Sequence, residues 1–145
     1  MLKIINENWN WLNINFIKII DENDFGNLIL MNEDLTIWRI CPEELQCKKI
    51  ADNINQFIKL QNNDDFIEDW NLNYLNEIAI KKLGKLNRNE KFTLIKPGVL
   101  GGEYIEENLV KMHLEKLIKF AADLAFQIKD LKDGQKITIN IKNYT

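Results

Sequence analysis

Along the first dozen residues, apolar positions recur at intervals of three and four. Leu2, Ile5, Trp9 and Leu12 share one side of a short helix, although the intervening asparagines are poor helix formers. The spacing then changes to short β-branched runs. Residues 15–20 (NFIKII), 27–31, 36–41 (TIWRIC) and 46–50 read as four strands. Turn chemistry separates them at 21–27 (DENDFGN), at 32–34 (NED) and at Pro42, which has no N–H to donate to a ladder. In the third strand Ile37, Arg39 and Cys41 face one way, Trp38 and Ile40 the other. Short connections between successive strands predict an antiparallel meander.

After residue 51 the period becomes helical. Asp52 or Asn53 can cap a segment ending near Leu60, with Ile54, Phe57 and Ile58 on its apolar side. The acidic stretch 62–70 (NNDDFIEDW) reads as a loop with one helical turn. Leu72, Leu75, Ile78, Ala79 and Leu83 trace a further helix, which Gly84 can end. Residues 91–95 read as a strand stopped by Pro97. The clearest helix spans 114–129, where Leu114, Leu117, Ile118, Ala121, Leu124, Ala125 and Ile128 form one stripe flanked by Phe120 and Phe126. A turn at 132–134 leads to 136–141 (KITINI), whose alternation of Ile137, Ile139 and Ile141 predicts a terminal strand. The order predicts an α+β fold: an antiparallel sheet, built from the N-terminal meander plus later strands, with helices packed on one face. No linker divides the chain, so residues 1–145 form one expected domain.

The stretch 97–108 (PGVLGGEYIEEN) holds three of the six glycines and one of the two prolines. A phosphate-binding loop needs GxxxxGK[ST], and a dinucleotide fold needs GxGxxG. Here the pattern is G-x-x-G-G, followed by Glu103, Glu106 and Glu107, which repel phosphate. Pro97, Gly98, Gly101, Gly102 and Tyr104 are therefore expected to be architectural, with Leu100 and Tyr104 anchoring the loop.

Charge narrows the functions. A net charge of −3 argues against unaided binding to nucleic acid or to anionic membranes, and 46% hydrophobic residues suffice for a full core. Asn, Ile and Lys are abundant while Arg39 and Arg88 are the only arginines, the bias of AT-rich bacterial coding. Two cysteines and a single histidine cannot assemble a structural zinc set from Cys and His. The N-terminus lacks the apolar stretch of a secretion signal, and no apolar run reaches the roughly 20 residues of a membrane span. A cytoplasmic chain with reduced thiols, and without cofactor or metal, is the expectation.

Three blocks taken in order, 25–45 (FGNLILMNEDLTIWRICPEEL), 97–108 (PGVLGGEYIEEN) and 126–134 (FQIKDLKDG), resemble the C-terminal domain of the type VI secretion immunity protein family that neutralises a DNase effector. The similarity runs from about Trp9 to Ile141. It implies a stand-alone version of that domain and an antitoxin that binds a cognate toxin effector in the cytoplasm. In this family a glycine usually follows the acidic residue of the hairpin turn. Here Leu35 follows Asp34, and a bulky residue disfavours the positive φ that such a turn uses.

Candidate chemistry is sparse. His113 lacks an evident nucleophile, and Cys41 and Cys47 lack the electropositive setting that activates a thiol. Carboxylates cluster at Glu33/Asp34, Glu43/Glu44, Asp64/Asp65/Glu68/Asp69 and Glu103/Glu106/Glu107, without a DxDxDG calcium loop. Asp64, Asp65, Glu68, Asp69, Glu103, Glu106 and Glu107 are the expected partner-binding residues, since an acidic inhibitor can steer onto the basic surface of a DNA-cutting toxin. Trp9, Trp11, Trp38 and Trp70 are further anchor candidates, with Trp38 placed in the core. The leading expectation is a non-catalytic immunity protein. A regulatory or scaffold protein, or a small hydrolase, are the alternatives.

Overall fold

A computed structural model describes residues 1–144. Helix α1 (Leu2–Asn8) and a 3-10 turn (Asn10–Leu12) lead into strands β1 (Phe16–Glu22), β2 (Leu28–Asn32), β3 (Ile37–Cys41) and β4 (Gln46–Ala51). The four strands pair antiparallel in sequence order, as the meander pattern requires. Helices α2 (Ile54–Leu60), α3 (Asp64–Asn71) and α4 (Asn73–Leu83) follow. Strands β5 (Glu90–Leu94) and β6 (Leu109–His113) and helix α5 (Leu114–Ile128) complete the fold, which is α+β.

Alternation along β2 explains how the layers form. Leu28 and Leu30 join Ile5, Trp9, Ile40 and the α5 stripe in the largest core. Ile29 points the other way, into a cluster with Ile37, Ala51 and Phe57. Burying a leucine or isoleucine completely is worth about 1.5–3 kcal/mol, so both layers stabilise the sheet. Helices thus cover both faces of the meander. The expected single covered face corresponds to α1 and α5 alone, because the short runs of the central strand are apolar on both sides.

The later strands do not extend the meander. β5 and β6 form their own two-stranded sheet, with Leu94 opposite Leu109 and Glu90 opposite His113. Helix α4 packs on it through Leu75 and Ala79, against Phe92 and Leu109.

The expected terminal strand at 136–141 is absent. This segment lies against α5, where no sheet edge offers a ladder. The Gln127 side chain substitutes for one pairing: its Nε2 donates to the Asn140 carbonyl and its Oε1 accepts from the Asn140 N–H, both at 3.0 Å. Beyond it, Tyr144 packs edge-on against Phe120 and its hydroxyl donates to Asp123 Oδ2 at 2.7 Å.

Two local features depart from simple expectation. The acidic stretch forms a full helix, α3, because Asn63 caps it by accepting from the Phe66 N–H at 3.0 Å and Asp64 and Asp65 favour its first turn. At the β2–β3 turn Leu35 adopts the left-handed conformation, φ +66°, despite its bulk. The Asp34 carboxylate holds that turn by accepting from the N–H and hydroxyl of Thr36 and from Asn32 Nδ2. The Thr36 bonds are the main reason its carboxyl lies below the usual range.

Candidate functional site

The glycine-rich stretch closes on itself. The N–H groups of Leu100 and Gly102 donate to the Pro97 carbonyl and that of Gly101 to the Gly98 carbonyl. Asn108 latches the base: its Oδ1 accepts from the Lys96 N–H, and its Nδ2 donates to the carbonyls of Lys96 and Glu103, each at 2.9 Å. Amides spent on internal carbonyls cannot cradle an anion. A Cβ on Gly102 would stand 1.7 Å from the Lys96 carbonyl oxygen, and one on Gly98 2.2 Å from Glu44 Oε1. Glu44 accepts the Tyr104 hydroxyl and so ties the loop to the 3-10 turn that follows β3. Burial, then this bond, pushes the Tyr104 phenol above its ordinary value.

The neighbouring carboxylate goes inward. Glu43 is 3% exposed, and burial raises its pKa. Asn27 Nδ2 donates to both its oxygens, at 2.9 and 2.8 Å, while Asn27 Oδ1 accepts from Arg39 Nε at 2.9 Å. Arg39 continues outward: it pairs with Asp69 and its guanidinium lies 5.4 Å from the Trp70 ring centre. Asn23 Nδ2 donates to the Trp70 carbonyl at 2.8 Å. A chain of directed bonds from the sheet therefore fixes the position of α3.

The outer side of α3 is open. Together with the start of α4 and Tyr104 of the glycine-rich loop it lines a cleft of about 600 Å³. Leu72 makes the corner between the two helices by taking a left-handed conformation, φ +46°. Ile67, Leu72 and Leu75 give the cleft an apolar lining, and Tyr74 stands at it 77% exposed. Among the described residues its charged lining consists of Asp64 and Glu68, one helical turn apart. Neither forms an ion pair among the described residues.

The sequence-predicted acids therefore divide. Asp64 and Glu68 line the cleft together with Tyr104. Asp69 is engaged by Arg39, and Asp65 does not line the cleft. Glu103 and Glu107 line a separate depression beside Lys96, Gly101 and Gly102. Glu106 is exposed, and its carbonyl accepts from Lys82. Tyr74 was missed, although it falls off the apolar stripe of α4 and so had to face outward.

The other candidates have structural places. His113 is exposed at the junction of β6 and α5, and it makes no side-chain cap. Burial raises the Cys41 thiol, and pushes Cys47 up to about 12, so neither is a ready nucleophile. Trp9 is sealed in the main core and stacks on Trp11. Trp38 packs edge-on against Phe16, and Trp70 stacks on Phe66. Among the described residues no group of three or more His, Cys, Asp or Glu is arranged to hold a metal ion. Among the described residues no helix is long and apolar enough to cross a membrane.

Comparison with known proteins places this arrangement. No curated protein matches the chain. The crystal structure of Atu4351 from Agrobacterium tumefaciens is similar with a TM-score of 0.52 at 19% identity, over 83% of this chain and 61% of that one. At this identity the likeness speaks for the fold, and the chain spans about three fifths of that protein's length. The family model described as T6SS immunity protein Tdi1, C-terminal, matches residues 51–125. That span omits most of the meander and contains α2 to α4, the glycine-rich loop and the cleft. With more than half of its residues matched, the chain belongs to the family of the C-terminal domain of the type VI secretion immunity protein Tdi1.

Proposed function

We propose that this chain is a cytoplasmic immunity protein that neutralises a cognate secreted effector, a nuclease, by binding it and occluding its surface. The observation that carries this reading is the family match over 51–125. The acidic balance supports a nuclease as target, because a protein that cuts DNA presents a basic surface that an acidic inhibitor can reach quickly and cover. Binding rather than catalysis is supported by the exposed His113 and by two thiols whose pKa values burial raises.

The test is co-expression with candidate toxin genes from the neighbourhood of the one encoding this chain. Survival together with co-purification is the expected result. Growth arrest despite abundant folded protein would favour a regulatory partner instead. His113→Ala should protect as well as the parent, and loss of protection by that folded variant would revive the hydrolase alternative.

A further inference from the structure

Resting on that immunity reading, we propose that the α3–α4 cleft is the docking surface, and that it receives an arginine- or lysine-bearing segment of the effector. The lining itself selects the partner's chemistry. Two exposed carboxylates, Asp64 and Glu68, stand one turn apart with no cation paired to either among the described residues, so the lining carries negative charge that no ion pair offsets. A basic group arriving from outside would offset it. The walls suit the remainder of such a side chain. Ile67 and Leu72 suit an aliphatic stem, and Tyr74 and Tyr104 add aromatic rings to the lining, a residue type that attracts cations. Phosphate and nucleic acid are disfavoured by the same carboxylates. A free small molecule is poorly served by a cleft so open that a lining tyrosine remains 77% exposed, since small-ligand sites bury most of their ligand.

The cleft is also held in shape before any partner arrives. Arg39 pins α3 from the sheet side through Asp69 and the Trp70 ring, and the Tyr104–Glu44 bond and the Asn108 latch hold the opposite wall. Tyrosines on such a support bind with little loss of side-chain freedom, and aromatic anchors dominate interface energetics. Asp69, which sequence reasoning grouped with Asp64 and Glu68, serves the support and not the docking face.

The experiment measures the affinity of the purified effector identified in that co-expression test for the unaltered protein, Tyr74→Ala, Glu68→Lys and, as a charge control away from the cleft, Glu115→Lys. Tyr74 and Glu68 are exposed, and circular dichroism with a thermal melt checks that each variant is folded. Tyr74→Ala and Glu68→Lys are expected to weaken binding by about tenfold or more, with Glu115→Lys near the parent. Glu68→Lys should also flatten the salt dependence of association. Parent-like binding by both cleft variants overturns the docking surface and leaves the immunity reading standing. No complex with the unaltered chain overturns that reading and the surface with it. A self-dimer that Tyr74→Ala dissociates would assign the cleft to a second copy of this chain and likewise overturn the proposal.

Discussion

The two faces of the meander are covered in different ways. Under α1 and α5, Leu28, Leu30 and Ile40 meet Leu117, Ile118 and Ala121 in a layer closed by apolar contact. Under α2 and α3, the apolar cluster of Ile29, Ile37 and Phe57 is smaller, and Arg39, Asn27 and Glu43 add a line of directed polar bonds. Apolar burial is non-directional and scales with area, so the first face sets how stable the molecule is. Hydrogen bonds contribute little net energy but demand geometry, so the second sets where α3 stands. The open cleft lies on the outer side of that positioned helix.

The largest effect expected of this contrast is at Leu117, which is fully buried on the apolar face. Leu117→Ala should lower the unfolding free energy by about 2–5 kcal/mol in a urea titration, through lost transfer energy and a residual cavity. A loss well under 1 kcal/mol would mean that this face does not carry the stability.

Arg39→Ala should be next. It leaves the buried Asn27 oxygen without its donor, a loss of about 1–3 kcal/mol. Its signature is local: amide exchange should accelerate in α3 more than in α5. Uniform acceleration would blur the distinction between the two faces.

Glu43→Gln probes the same network through pH and should have a smaller effect. Burial raises the folded pKa of Glu43 above the ordinary 4.5. Its contribution to stability is therefore fully present below the unfolded value and is lost as pH rises through the folded one. The variant should lose that slope, read from unfolding midpoints across pH. A parent-like slope would show that the Glu43 proton is not linked to folding.

The smallest effect belongs to a site outside both layers. Leu35 is 57% exposed, so removing its side chain loses little packing. Relief of the left-handed strain, less the entropy of a glycine, should make Leu35→Gly more stable by about 0.5–1 kcal/mol, visible as a higher melting temperature.

Much of the architecture was legible where a pattern repeats. The meander rests on four short β-branched runs with turn residues between them, and α5 on a seven-position stripe. Strand β6 was not, because Leu109–His113 mixes Lys111 and His113 into a run that becomes a strand only opposite β5. The segment 136–141 misled in the opposite way: alternation predicted a strand, but a strand needs an edge, and the chain places α5 there instead. At the candidate site, the acidity of 62–70 was evident in the composition. Its division into Asp64 and Glu68 at the cleft and Asp69 on Arg39 depends on the facing of α3, which the sequence did not present as a helix.

What the sequence by itself determined is what depends on neighbours along the chain: the strands of the meander, the turns that join them, the long amphipathic helix and the glycines without which the 97–108 loop could not close. The tertiary structure alone decided which carboxylate is buried and which is bonded at the surface, Glu43 against Asn27 and Glu44 against Tyr104. It also decided that Asp64, Glu68 and Tyr74 share one cleft with Tyr104, far from them in the chain. The reason is physical. Periodicity records local backbone geometry, whereas burial and charge pairing depend on groups that only folding brings within a few ångströms.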